Sequence, residues 1–73
     1  MSTRLFEVRR DKNAGDWKVV SGRGAVVSRA GTRREAESQG RSFARQTSDS
    51  GFSVTLRIRN IDGSVSEEYS YGR

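Results

Sequence analysis

The chain is predicted to form a single small α+β domain, residues 1–73, with one helix packed on one face of an antiparallel sheet of four to five strands, in the order β-β-β-α-β-β. Two observations predict this class. Apolar and polar residues alternate in several short segments, as in half-buried strands. Between the third and fourth of these segments, small and apolar residues recur at helical spacing behind a capping signal. The length allows one core and no second lobe.

The first three strands are predicted near residues 4–9, 16–20 and 25–28. In the first strand Phe6 and Val8 alternate with charged residues, and in the second Trp17 and Val19 share one face. Runs of glycine, asparagine, aspartate and serine separate these strands and indicate turns. Three consecutive strands joined by short turns favour antiparallel neighbours.

The helix is predicted near residues 33–47. Thr32 and Glu35 form a T-x-x-E capping box, which fixes the start of the helix. A stripe of mostly small residues follows on one face: Ala36, Gly40, Phe43, Ala44 and Thr47. Glycine inside a helix costs about 1 kcal/mol relative to alanine, so Gly40 is expected to pack closely against a bulky partner, for which Trp17 is the candidate. Trp17 and Phe43 are expected to anchor the core.

The last two strands, near residues 53–59 and 64–70, are predicted to form a hairpin around Asp62-Gly63. A two-residue turn there sets the register of the hairpin. The expected opposite pairs are Leu56 with Tyr69, Arg57 with Glu68, and Arg59 with Ser66. The apolar residues of both strands then fall on one face, which supports this register.

The composition favours binding over catalysis. Lys12 and Lys18 are the only lysines among 14 basic residues, the formal net charge is +5, and the chain has no histidine and no cysteine. The side chains most used in acid–base, nucleophilic and metal chemistry are therefore scarce, whereas arginine suits forked contact with phosphate. We predict no catalytic residue, no metal site, no cofactor and no small-molecule ligand, and hence no enzyme.

The positive charge favours nucleic acid as a partner, through the exposed face of the sheet and its turns. The candidate nucleic-acid-binding residues are Arg9, Lys18, Arg23, Arg29, Arg57 and Arg59. Two alternatives stay open. An arginine-rich, lysine-poor composition also results from the codon usage of a GC-rich genome. The same face also carries Glu7 and Glu68 beside apolar residues, so it equally suits a protein partner or a homodimer, with Leu5, Val20 and Val26 as the interface.

No apolar stretch approaches the ~20 residues of a membrane helix or the pattern of a signal peptide. The absence of cysteine agrees with a reducing compartment. We therefore expect a soluble, cytoplasmic protein without a membrane partner.

Several short motifs follow one another in a fixed order: W-x-V at Trp17 and Val19, Ser28, T-x-x-E-A from Thr32 to Ala36, Arg41, Phe43 and Ala44, D-G at Asp62 and Gly63, and S-Y-G from Ser70 to Gly72. This order resembles the bacterial family called domain of unknown function 2188. Gly40, where the family has alanine, and a longer loop around Ser48 to Phe52 depart from it. The resemblance implies one compact β/α domain and brings no catalytic residue.

Residues 17–44 combine W-x-V, a small basic hairpin and T-x-x-E-A at a helix start. This combination has a looser resemblance to the arm-type DNA-binding domains of phage tyrosine integrases. This chain has Ala30 where those domains have a large apolar residue, and two further strands follow its helix. The resemblance implies DNA contact by the sheet, as an analogy of fold.

Overall fold

Five strands and one helix make up residues 3–72, the part of the chain that the computed structural model describes. The elements are β1 (Thr3–Asp11), β2 (Asp16–Ser21), β3 (Val26–Ala30), α1 (Arg33–Asp49), β4 (Ser53–Arg59) and β5 (Val65–Tyr71). The predicted α+β class and element order are confirmed. Met1, Ser2 and Arg73, which the predicted domain includes, lie outside the described residues.

The sheet is mixed, with strand order β3-β2-β1-β4-β5. β1–β2, β2–β3 and β4–β5 are antiparallel as predicted, but β1 and β4 lie side by side in parallel. The prediction of a wholly antiparallel sheet was therefore wrong. The chain reverses direction at each turn from β1 to β3 and once more on each side of α1, so β4 runs in the same direction as β1. Their carboxyl ends consequently meet at one end of the sheet.

The helix lies close to the sheet because its buried residues are small: Ala36, Gly40 and Ala44. A Cβ atom added at Gly40 would stand 3.1 Å from both Leu56 Cδ1 and Val8 Cγ2. Gly40 therefore packs against the neighbouring strands β1 and β4, and the prediction that it packs against Trp17 was wrong.

One of the two predicted core anchors is confirmed. Trp17 is buried in the core, whereas Phe43 is only half-buried and stacks on Phe6, with ring centroids 6.0 Å apart. The fully buried large side chains come from the strands instead: Val8, Val19, Val54, Leu56 and Ile58. The helix thus contributes small residues to the core, and the sheet contributes the large ones.

Thr32 caps the helix as predicted, since the Glu35 backbone N–H donates to Thr32 Oγ1 at 3.2 Å, and the Glu35 side chain reaches back to accept from the Thr32 hydroxyl at 3.4 Å. The helix runs two residues beyond the prediction, to Asp49, and the Ser50 backbone N–H donates to the Thr47 carbonyl at 3.1 Å. Within residues 3–72, α1 is the one helix, and it is too short and too polar to cross a membrane.

The β4–β5 hairpin follows the predicted register over most of its length. Leu56 lies opposite Tyr69 and Arg57 opposite Glu68, but Arg59 lies opposite Val65 instead of Ser66, because the register shifts after Ile58. The loop has three residues, 61–63: the Asn60 backbone N–H donates to the Ser64 carbonyl at 2.7 Å, and Gly63 has a φ of 90°. The bulge compensates for the extra loop residue.

Candidate anion-binding site

Four of the predicted cations form a row on the sheet face opposite α1, which we call the outer face. Lys18 lies opposite both Arg29 of β3 and Arg9 of β1. Arg59 neighbours Arg9, because the preceding residues of the two parallel strands are paired. We call Arg29, Lys18, Arg9 and Arg59 the cation row. Adjacent strands are about 4.8 Å apart, so the row spans about 14 Å.

The carboxylate of Glu7, on β1, borders the cation row on one side. Its Oε2 atom lies 2.9 Å from Arg59 Nη2 and 3.3 Å from Arg57 Nη1, and its Oε1 atom lies 3.4 Å from Arg9 Nε. Arg57 also pairs with Glu68 at 2.8 Å, as the hairpin register predicts. Arg57 therefore lies next to the row with its charge already offset.

The carboxylates of Asp11 and Asp16 border the cation row on the other side, where the two residues face each other across β1 and β2. Arg29 Nη1 lies 2.9 Å from Asp11 Oδ2 and 3.1 Å from Asp16 Oδ1, and Lys18 Nζ lies 3.8 Å from Asp11 Oδ2. The sequence pattern placed Asp11 in a turn and Asp16 at the start of the second strand, and indicated no ion pair with the row for either. Much of the charge of the cation row is consequently compensated within the domain.

Asp11 is expected to make stability depend on pH in the acid range. Its hydrogen bond from Arg29 and, next in size, that from the Ala14 backbone N–H lower its pKa from 3.8 to about 2. A depressed carboxyl pKa stabilises the folded state above the unfolded-state pKa, and that contribution is lost as the pH falls from about 4 to about 2. Urea unfolding of Asp11→Asn should therefore differ from the native protein at pH 6 and converge with it near pH 2.

Asp49→Asn is the matched control, because Asp49 is an exposed carboxylate without an ion pair among the described residues. The native and control proteins should lose stability together on acidification. A difference between native and Asp11→Asn that stays constant from pH 6 to pH 2 would contradict the role assigned to Asp11.

A cleft of about 230 Å³ lies at the end of the sheet where β1 and β4 finish. The loop after each strand comes to this end because the two strands are parallel. The residues that line the cleft are Arg9, Arg10, Lys12, Lys18, Arg59, Asn60, Ile61, Asp62 and Gly63. We call it the basic cleft, because five of these residues are cationic and one is acidic.

The β4–β5 loop forms one wall of the basic cleft, and hydrogen bonds hold this loop in place. Arg59 Nη1 donates to the Gly63 carbonyl at 2.8 Å, and Arg33 Nη1 of α1 donates to Asn60 Oδ1 at 3.1 Å. Asp62 Oδ1 accepts from Ser64 Oγ at 2.7 Å and from the Ser64 backbone N–H at 2.9 Å, and these bonds lower the Asp62 pKa. The loop is thus braced from both the sheet and the helix, and its carboxylate is bonded within the loop.

Two cations of the basic cleft were missed by the sequence analysis. Arg10 and Lys12 form no ion pair among residues 3–72, and the charge of Lys12 also acts on Asp62, whose pKa it helps to lower. Alternation assigns Arg10 to the opposite side of β1 from Arg9, and Lys12 lies in a turn. Arg10 and Lys12 could have been identified only from the direction of β4, because its parallel pairing with β1 brings the two loops together.

The predicted Arg23 lies apart from the basic cleft. It is in the turn after β2, at the opposite end of the sheet, where it is exposed and lines a different cleft with Arg4 and Leu5. Among residues 3–72 there is also no group of three or more histidine, cysteine or carboxylate side chains that could hold a metal ion.

The residues of the alternative apolar interface differ in exposure. Val26 is 44% exposed and Leu5 is half-buried, but Val20 is only 5% exposed. Val20 was expected to be exposed at the interface, and that expectation was wrong. It lies between Glu7 and Val26 across the strands, and long side chains on the outer face cover apolar neighbours with their stems.

Comparison with known families places this architecture in one of them. Residues 6–71 match the model of a family described as an uncharacterized protein conserved in bacteria, DUF2188. The match covers most of the chain, so the chain belongs to this family, as the order of motifs indicated. The resemblance to integrase arm domains has no such support. Searches of curated proteins and of solved structures returned no match.

Proposed function

We propose that this member of the DUF2188 family is a small non-enzymatic module that binds nucleic acid through its phosphate groups. The basic cleft and the adjoining cation row form the contact surface. The observation that carries the proposal is the meeting of five cationic side chains around one cleft, with a single carboxylate in its lining. Arginine and lysine side chains make most protein contacts to phosphate, and arginine does so with two parallel hydrogen bonds.

The dimensions of the surface also support this proposal. Each strand of a duplex carries one phosphate per roughly 3.4 Å of helix axis, so the ~14 Å cation row is long enough to meet several phosphates. Glu7, Asp11 and Asp16 already pair with the row, so the excess charge is concentrated in the basic cleft, at Arg10 and Lys12. Affinity for phosphate is therefore expected to depend most on the cleft.

The rival proposal is a protein-interaction module or homodimer that uses the same outer face. The exposed large apolar side chains are Val26, Val27, Ile61 and Val65 among residues 3–72. The first two lie on β3 at the end away from the basic cleft, and the other two lie at the cleft end, Ile61 in the β4–β5 loop and Val65 at the start of β5. They occupy opposite corners of the sheet and form no common patch, which favours the nucleic-acid proposal. Sedimentation of the purified protein as a concentration-dependent dimer would favour the rival.

Charge reversal in the basic cleft is expected to weaken binding more than the same reversal elsewhere. The test variant is Arg10→Glu with Lys12→Glu, and the control is Arg34→Glu with Arg45→Glu on the exposed side of α1. Both double variants change the net charge equally and break no ion pair of the described residues. Affinity for a labelled oligonucleotide, as DNA and as RNA, should fall about tenfold or more in the test variant and less than about threefold in the control.

Fluorescence anisotropy at about 50 and about 150 mM salt measures this difference, and native affinity should drop steeply between the two. An equal loss in both double variants would mean that only the net charge matters, and the cleft would be rejected as the site. No binding to either nucleic acid at the lower salt concentration would reject the proposed function.

A further inference from the structure

We infer that the basic cleft receives a phosphate monoester, and that its ligand is the phosphorylated end of a nucleic-acid strand. This inference rests on the proposed function and specifies it. An internal phosphate of a nucleic acid is a diester with one negative charge, whereas a terminal phosphate carries about −1.5 to −2 at pH 7, with a second pKa near 6. Three features of the described residues point to the terminal group.

The first feature is that the cation row stops at the basic cleft. Beyond Arg59 the next strand is β5, at the edge of the sheet. Residues 60–72, which include β5, carry three carboxylates and no basic residue: Asp62, Glu67 and Glu68. On the outer face, β5 has Val65 opposite Arg59 and Glu68 opposite Arg57, so a phosphate backbone that continued past the cleft would meet no further cation and one carboxylate. A strand that ends in the cleft avoids this carboxylate.

The second feature is the size of the cleft. Its volume of about 230 Å³ is below the 300 to 1,000 Å³ that is typical of pockets for whole organic ligands. A group of the size of a phosphate matches this space better than a whole nucleotide does. The braced loop of residues 60–63 forms one wall.

The third feature is the balance of charge. Five cations line the cleft, and three carboxylates offset them, namely Asp62 in the lining and Glu7 and Asp11 as ion-pair partners. The excess is two positive charges, which matches a dianion better than a monoanion. Glu7 and the Gly63 carbonyl also hold the Arg59 guanidinium in place, so this donor is ordered before a ligand arrives.

The test compares one short single-stranded oligonucleotide in three forms: with a 5′-phosphate, with a 3′-phosphate and with hydroxyls at both ends. We expect at least one phosphorylated form to bind about tenfold more tightly than the unphosphorylated form. Arg10→Gln with Lys12→Gln should remove this preference, while Arg34→Gln with Arg45→Gln should keep it. Equal affinity of all three forms would overturn the inference and leave the proposed function standing.

The pH dependence gives a second readout, because the chain has no histidine. The carboxylate in the lining, Asp62, has a lowered pKa, so protonation between pH 7 and pH 5 falls mainly on the phosphate monoester. The preference for the phosphorylated form should shrink over that range. A preference that is constant from pH 7 to pH 5 would contradict binding of the dianion.

Two further arms distinguish the source of the phosphate. A nucleoside 5′-monophosphate and inorganic phosphate are used as competitors, and both should bind more weakly than the phosphorylated strand, because neither extends beyond the cleft along the rest of the cation row to Arg29. If the mononucleotide binds as tightly as the strand, the ligand is a small phosphate ester and the assignment to a strand end is overturned. Absence of binding by every form at low salt would reject the proposed function as well.

Discussion

Replacement of Leu56 by alanine is expected to lower the free energy of unfolding by about 3 to 5 kcal/mol. Leu56 is fully buried on β4, a central strand, and its methyl groups lie beneath Gly40 of α1. Its truncation removes apolar contacts and leaves a cavity between the sheet and a helix that is already close to it. A domain of this length has a stability on the order of 4 to 11 kcal/mol, so the loss is a large part of the total.

Urea unfolding followed by tryptophan fluorescence measures this loss, since Trp17 is the only tryptophan and lies in the core. Phe43→Ala is the comparison. Phe43 is half-buried and stacks only on Phe6 among aromatic residues, so its truncation should cost less than that of Leu56, about 1 to 3 kcal/mol. A larger effect at Phe43 than at Leu56 would mean that the core is centred on the helix instead of the sheet.

Most local features of the fold were predictable from the sequence. The capping box at Thr32 and Glu35, the alternation in the strands and the pairing of Arg57 with Glu68 each depend on residues close in sequence or on one short hairpin. The parallel pairing of β1 with β4 depends on which strands become neighbours after the helix crosses the sheet. Alternation describes the two faces of a strand and carries no information on its neighbours.

The candidate site was predictable in part for the same reason. Alternation placed Arg9, Lys18 and Arg59 on one face, and the register then aligns them in a row. Arg10 and Lys12 join them through a cleft made by two loops about 50 residues apart in the chain, which no local pattern indicates. The ion pairs that offset the cation row likewise connect residues that are distant in sequence, so the sequence overestimated the free charge of the outer face.

The buried face of α1 leads to the second large expected effect, in the variant Gly40→Leu. A Cβ atom alone would stand 3.1 Å from side chains on both β1 and β4, closer than ordinary van der Waals contact. Leucine adds three more carbon atoms at the same point, so the helix must move away from the sheet or Val8 and Leu56 must leave their packed positions. We expect a loss of about 3 kcal/mol or more in the free energy of unfolding.

Two variants separate packing from helix propensity. Gly40→Ala gains about 1 kcal/mol of helix propensity and sets it against strain from a single methyl group, so its stability should stay within about 1 kcal/mol of the native value. Ser38→Leu places the same large side chain on the exposed side of α1 and should change stability by less than about 0.5 kcal/mol. Urea unfolding of the three variants therefore should rank Gly40→Leu far below the other two. A Gly40→Leu protein as stable as Ser38→Leu would show that the helix does not rest on β1 and β4 at this glycine.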